Sequence, residues 1–422
     1  MSLIEIVNQS EWKGKTHKTA SSETQRRVTD ILCRISRDGD SAIQELTKEY
    51  DNVVPEQLRV SAGAIREAED RIDPDTKSIL TEAMENIREF HGEQIQKTWI
   101  KTAQDGTRLG EIVTPLERVG IYVPGGCAFY PSSMIMNAVP AILAGVSSIA
   151  VVSPPGANGL PHRLVLAICA MLDLPEVYSV GGAQAVAALA FGTETISPVC
   201  KITGPGNRFV TEAKRQVFGR VGIDSVAGPS EILILHDAPD VPIDFLVRDM
   251  ISQAEHDEEA TSLLITTLPD IALAVQQRLD ELVPTLPRKE IIEASLRNNG
   301  KIVLADTVEG GIELANRIAP EHLELLLVDE SKARHIVNAG AIFIGRWSSE
   351  PVGDYMAGPN HTIPTAGAAR FSSPLSVRDF QKHSSLIHYS KKRLLAQGET
   401  IVRFAEMEEL YGHAAAIRER LI

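Results

Sequence analysis

The chain has 422 residues, 43% hydrophobic and 23% charged, which are globular values over a length that exceeds what one hydrophobic core usually serves. Its formal net charge of -14 argues against a nucleic-acid or anionic-membrane partner, each of which calls for a basic face. The four cysteines form no Cys-x-x-Cys pair, no apolar run is long enough to span a membrane, and the first residues lack the basic start of a signal peptide. A cytoplasmic enzyme acting on a small molecule is therefore expected.

Residues 18–110 read mainly as amphipathic helix, because apolar residues recur three and four apart in segments such as 25–32 and 81–87. This region, 1–112, is expected to pack on the second of two α/β blocks. The first block, 113–229, opens with short apolar runs at 119–123, 148–152 and 177–180, separated by small-residue helices such as 162–174 and 183–191. That texture indicates parallel βαβ units. The second block, 230–376, repeats it with strands at 231–235, 262–266, 301–304, 323–328 and 341–344, and helices at 242–253 and 331–338. Residues 346–376 are rich in Gly, Pro and Ser and aperiodic, a long loop of the kind that usually carries function. Helical periodicity returns in the tail, 377–422, from Lys391 to Arg420. The fold class is α/β: two Rossmann-like, incomplete parallel-sheet domains with helical N-terminal and C-terminal segments.

Three islands carry acid–base and metal-ligand residue types. They are Ser252-Gln253-Ala254-Glu255-His256-Asp257, Ala319-Pro320-Glu321-His322-Leu323-Glu324, and Gly353-Asp354-Tyr355 running on to Asn360-His361. Glu321-His322 sets a carboxylate beside an imidazole that titrates near neutrality, although such a dipeptide also suits an ordinary surface. Gln253 and His256 lie three apart and can project from one helix face. With Asp354 and His413 of the tail they would make a nitrogen-and-oxygen donor set suited to zinc, with manganese or cobalt as substitutes. Plain helix faces carry Gln-x-x-His pairs too. The dinucleotide fingerprint Gly-x-Gly-x-x-Gly is absent after any strand. In its place stand Pro124-Gly125-Gly126, Gly181-Gly182-Ala183-Gln184 and Thr203-Gly204-Pro205-Gly206-Asn207, each between an expected strand and helix, where backbone N–H groups can meet a pyrophosphate. Simple tight connections are the alternative for any one of them. Cys127 beside Gly126 would suit a thiohemiacetal nucleophile but has no adjacent histidine to activate it.

Together with Arg118-Val119-Gly120-Ile121-Tyr122-Val123, Ala227-Gly228-Pro229-Ser230-Glu231 and Ala357-Gly358-Pro359-Asn360-His361, these segments closely resemble the histidinol dehydrogenases over residues 23–420. The resemblance implies NAD-dependent, zinc-requiring oxidation of L-histidinol through the aldehyde to L-histidine, the last steps of histidine biosynthesis. It implies Gln253, His256, Asp354 and His413 as zinc ligands and Glu321 and His322 as the acid–base pair. Ser230, His361 and Glu408 would line the substrate pocket with His322 and the zinc ligands, and Tyr122, Gln184 and Asn207 would contact NAD. It also implies a homodimer in which the tail brings His413 to the neighbour's site. Cys127 stands where the family often has threonine, which weighs against the thiol. Two other readings are a related dehydrogenase acting on another polyol and a metal-dependent hydrolase. Glu408, His361 and residues 371–377 favour histidinol over the first, and the glycine turns count against the second.

Overall fold

The computed structural model describes residues 2–12, 14, 21–53, 55–125 and 130–422. In chain order, β1 (Glu5–Asn8) is followed by helices α1 (Ser22–Asp51), α2 (Ala62–Asp70) and α3 (Pro74–Gly92), then β2 (Trp99–Thr102) and β3 (Arg108–Pro115). The first α/β block comprises β4 (Arg118–Tyr122), α4 (Pro131–Ala144), β5 (Ser148–Ser153), α5 (Arg163–Met171), β6 (Val177–Ser179), α6 (Gly182–Phe191), β7 (Lys201–Thr203), α7 (Arg208–Val217) and β8 (Gly222–Ile223). The second comprises β9 (Glu231–His236), α8 (Ile243–Ala254), β10 (Thr261–Thr266), α9 (Pro269–Leu282), α10 (Lys289–Asn299), β11 (Lys301–Leu304), α11 (Val308–Ile318), β12 (His322–Leu326) and β13 (Ala341–Ile344). α12 (Glu350–Tyr355), β14 (Gln381–His388), α13 (Lys391–Met407) and α14 (Tyr411–Arg418) complete the chain.

Both blocks are parallel sheets, in the orders β6-β5-β4-β7-β8 and β1-β11-β10-β9-β12-β13. Parallel strands need crossovers, which lay helices on both faces, so the central strands are buried throughout instead of alternating. In each block the chain winds outward from its first strand, returns, and continues on the other side. The reversal leaves a crevice between β4 and β7 in the first sheet and between β9 and β12 in the second, the place where such folds bind ligands.

The N-terminal helices lie on the first block, not on the second as expected from the sequence. α1 packs on α6 and α7, α2 on α5, and α3 on α4, while only β1 crosses to the second sheet, where it pairs with β11. The cause lies in α6, Gly-Ala-Gln-Ala-Val-Ala-Ala-Leu-Ala-Phe, which is apolar on every side. A helix of that kind must be covered all round, and the stripe Val28, Ile35, Ile43 and Leu46 of α1 supplies the outer layer. A second difference is the antiparallel sheet β14-β3-β2, which joins a region read as helical to the tail. All four residues of β2 are exposed, so no alternation marks it as a strand. Residues 331–338, read as an α-helix, overlap instead the short 3₁₀ helix Glu330–His335.

Leu46 is fully buried between α1 and the first block. Leu46→Ala is expected to lower the unfolding free energy by about 2–5 kcal/mol in a urea titration. A loss of no more than about 0.5 kcal/mol, the scale of a surface substitution, would show that α1 is not part of this core.

Candidate active site

Helix α11 stops because Ala319 adopts a left-handed conformation (φ 54°) and Pro320 cannot continue the hydrogen-bond ladder. The chain then enters β12 at His322, beside Ile232 of β9 and Ala341 of β13, so Glu321 and His322 sit buried at the amino end of the second sheet. One residue of β9 holds both. The Glu231 N–H donates to Glu321 Oε2 at 2.7 Å, and the Glu231 carbonyl oxygen lies 2.9 Å from His322 Nδ1. A carbonyl only accepts, so Nδ1 carries the hydrogen and Nε2 keeps its lone pair. Burial lowers the His322 pKa to about 4, leaving a neutral imidazole. Burial also raises Glu321 well above the usual carboxylate range, with the charges of Asp354 and Glu350 adding to the effect.

α12 adds Glu350 and Asp354, one turn apart. His322 Nε2 lies 3.8 Å from Glu350 Oε1, and His322, Glu350 and Asp354 offer ligand atoms all within 4.8 Å of one another. Asp354 belongs both to this grouping and to the ligand set expected from the sequence. Burial would raise its pKa, but the hydrogen bond to His361 and the imidazoles of His361, His322 and His256 hold it below the usual value. His361 Nδ1 lies 3.4 Å from Asp354 Oδ1, and its Nε2 lies 3.2 Å from Ser133 Oγ on α4. Gln253, in the last turn of α8, is buried, and its Oε1 has no hydrogen-bond partner. An amide oxygen buried without a donor is costly in a protein interior, and a cation would satisfy it. With the imidazole of His256 and the carboxylate of Asp354, this donor set fits zinc. Ser230 precedes Glu231 at the same sheet edge, where its carbonyl accepts from Thr261 N at 2.9 Å.

Further carboxyl groups complete the cluster. Glu324 Oε1 accepts from the Glu350 N–H at 2.7 Å, and the Asp249 carboxyl of α8, one turn before Gln253, acts on Glu324 electrostatically. Burial raises the proton affinity of both, and the negative charge of Asp249 raises that of Glu324 further. Nothing in the spacing of Asp249, Glu324 and Glu350 singles them out. The available signal is that Glu324 is the one acid within the apolar run 323–327.

The residues expected on the cofactor side lie at the carboxyl edge of the first sheet. Tyr122 ends β4, is buried, and accepts from the Gly182 N–H at 3.1 Å, with burial pushing its pKa up to about 12. Gln184 is buried in the first turn of α6. Asn207 caps α7, accepting from Phe209 N and Val210 N at 3.0 and 3.2 Å. Two of the three glycine turns join a strand to a helix as expected. A Cβ on Gly181 would overlap Pro154 and one on Gly206 would overlap Val210, so neither turn has room for a side chain at these positions. Gly126 and Cys127 of the third turn lie outside the described residues. Glu408 and His413 are exposed on the tail, and among the described residues no hydrogen bond or ion pair joins either side chain to the cluster.

Gly340, just before β13, touches Glu321: a Cβ there would come within 2.5 Å of the Glu321 carbonyl oxygen. Gly340→Ala is expected to displace Glu321 and lower kcat/KM by about 10–100-fold while the circular-dichroism spectrum stays native. Unchanged kinetics would show that the 319–322 turn tolerates the shift.

A family model described as histidinol dehydrogenase matches residues 14–421. The histidinol dehydrogenase of Geobacillus kaustophilus (strain HTA426) is 47% identical over 411 residues, 96% of each chain. That of Bacillus subtilis (strain 168) is 47% identical over 403 residues, 95% of this chain and 94% of the relative. The crystal structure of histidinol dehydrogenase from Elizabethkingia anophelis superposes with a TM-score of 0.94 at 34% identity, covering 100% of this chain and 98% of that one.

Proposed function

We propose that this chain, which belongs to the histidinol dehydrogenase family, oxidises L-histidinol to L-histidine in two steps, with NAD as oxidant and one zinc ion per subunit. Family membership makes it an oxidoreductase of histidine biosynthesis. The observation that carries the finer reading is the neutral His322, with Nε2 free beside the Asp354 and Glu350 carboxyl groups.

Gln253, His256 and Asp354, with His413 of the partner subunit, would hold the zinc. Tyr122, Gln184 and Asn207 would hold NAD. Bound there, the zinc supplies an anchor for the substrate's nitrogen atoms and the nicotinamide supplies the hydride acceptor. The protein's own residues manage the protons. His322 takes the hydroxyl proton at Nε2 as hydride leaves the carbinol carbon, and the Asp354 charge stabilises the imidazolium that forms. Glu321, whose buried carboxylate is a strengthened base, removes a proton from water as it adds to the aldehyde. His322 returns its proton to the aldehyde oxygen in that addition, and is neutral again to accept a hydroxyl proton from the hydrate in the second oxidation. Ser230, His361 and Glu408 line the substrate, His361 being steadied between Asp354 and Ser133.

The wild-type protein should yield two NADH per histidinol consumed, followed at 340 nm. His322→Asn should slow both oxidations by roughly 10²–10⁴-fold. Glu321→Gln should impair oxidation of histidinal more than that of histidinol. Equal losses in the two half-reactions would end this division of roles.

The active form in this reading is a homodimer with shared sites. Helices α13 and α14 rest on a small core of Val402, Ala405 and Ala414, while Phe404, Met407 and Tyr411 are 62%, 79% and 66% exposed. Apolar surface of this kind suits burial against a symmetry mate. Among the described residues no helix is long and apolar enough to cross a membrane, and Cys33, Cys169 and Cys200 are unpaired, which suits the reducing cytoplasm. Asp354→Ala and His413→Ala should each lose zinc and activity. Mixed after dissociation, they should recover about a quarter of wild-type activity, because half the dimers are mixed and each of those has one intact site. No recovery despite subunit exchange proven by mass spectrometry would place the whole metal site within one chain.

A further inference from the structure

The turn 204–207 between β7 and α7 is held by an ion pair that takes no part in the chemistry above. Lys214 of α7 and Asp224, just after β8, form a direct ion pair with both side chains 3% exposed. Asp224 Oδ2 accepts from the Gly204 N–H at 2.8 Å, and Lys214 Nζ donates to the Gly204 carbonyl oxygen at 3.0 Å. Both polar groups of one glycine are thus gripped by the two halves of one ion pair. Gly204 has φ 114°, where side chains are strained, and a Cβ would overlap the Tyr122 carbonyl oxygen. The clamp therefore presses the turn against the end of β4 at the point where the first sheet opens its crevice.

We infer that the Lys214–Asp224 pair is a positioning device for the cofactor: it sets Gly204, and through it Pro205, Gly206 and Asn207, in the shape that receives NAD. The inference rests on the NAD reading of this edge. Stability alone does not account for the pair. Two buried charges lose their hydration, and apolar replacements of similar volume are often neutral or stabilising. What apolar side chains cannot do is donate to the Gly204 carbonyl and accept from its N–H together. Glycine has the widest backbone freedom of any residue, so an unclamped Gly204 would leave the turn to sample many shapes, and NAD would have to bear the cost of ordering it.

The test is equilibrium NAD binding to the zinc-loaded protein by isothermal titration calorimetry, alongside thermal melting and the KM for histidinol. The double variant Lys214→Met with Asp224→Leu removes both charges and leaves neither unpaired. It should melt close to wild type and keep its zinc and its histidinol KM, while the Kd for NAD rises by about 10–100-fold. Lys214→Met alone should lose stability as well, because it strands the Asp224 carboxylate. The amide pair Lys214→Gln with Asp224→Asn, which keeps a donor and an acceptor for Gly204, should bind NAD much as wild type does. A folded double variant with wild-type NAD affinity overturns the clamp and leaves the NAD reading standing. If the apolar variant does not fold, Lys214→Met alone is titrated with NAD well below its melting temperature: a Kd raised about tenfold and restored in the amide pair supports the clamp, and a wild-type Kd in folded Lys214→Met overturns it. Failure of the wild-type protein to bind NAD would instead sink the cofactor reading itself.

Discussion

The candidate active site depends on the backbone of Glu231. Its N–H faces the residue just before β12 and its carbonyl faces the first residue of β12, and parallel pairing of β9 with β12 puts them in reach. The N–H takes a carboxylate oxygen, and the carbonyl dictates which imidazole nitrogen carries hydrogen. Side-chain chemistry is thus set by main-chain groups, which cannot rotate away. The other parts of the site are arranged around this point. α8 brings Gln253, α12 brings Glu350 and Asp354, and the Glu324 carboxyl ties α12 to the strand that starts at His322.

The two sheets present opposite edges to the site. In the first, Tyr122, the Gly181–Gly182 turn and Gly204–Asn207 follow the strands, the carboxyl edge that usually serves ligands in such folds. In the second, Ser230, Glu231, Glu321 and His322 precede or begin the strands, at the amino edge of the same kind of crevice. The loop after α12 stitches these edges together. His361 meets Ser133 of α4, Thr362 meets Asn137, and the Gly228 N–H donates to Thr365 Oγ1. Its length and lack of periodicity follow from that task, since a segment that contacts α4, α12 and the start of the second block has no single face to repeat.

Much of this was legible in the sequence where periodicity and turn chemistry are local. The parallel strands expected at 119–123, 148–152, 177–180, 231–235, 262–266, 301–304, 323–328 and 341–344 fall close to those positions, because each is a short and mostly apolar run, while β1, β7 and β8 hold too few apolar residues to read. The break at Ala319-Pro320 and the glycine turns ahead of α6 and α7 are visible for the same reason, as properties of a few adjacent residues. The types and order of Gln253, His256, Glu321, His322 and Asp354 also raise the expectation of acid–base and metal chemistry.

Tertiary structure alone decided which surfaces meet. α1 shows an apolar stripe, but a stripe does not name its partner; the almost wholly apolar α6 of the first block took it, and β1 with its flanking residues went to the second block. β2 and β3 escape notice because a mostly exposed antiparallel sheet leaves no buried face to read. Asp249, Glu324 and Glu350 look like ordinary acids until the fold brings them together and sets Glu350 beside His322, and Lys214 and Asp224 until it closes them around Gly204. Local pattern along a chain reflects the conformation of its neighbours in sequence. Burial, hydrogen-bond partners and shifted proton affinities depend on residues brought from tens to hundreds of positions away, and packing alone supplies them.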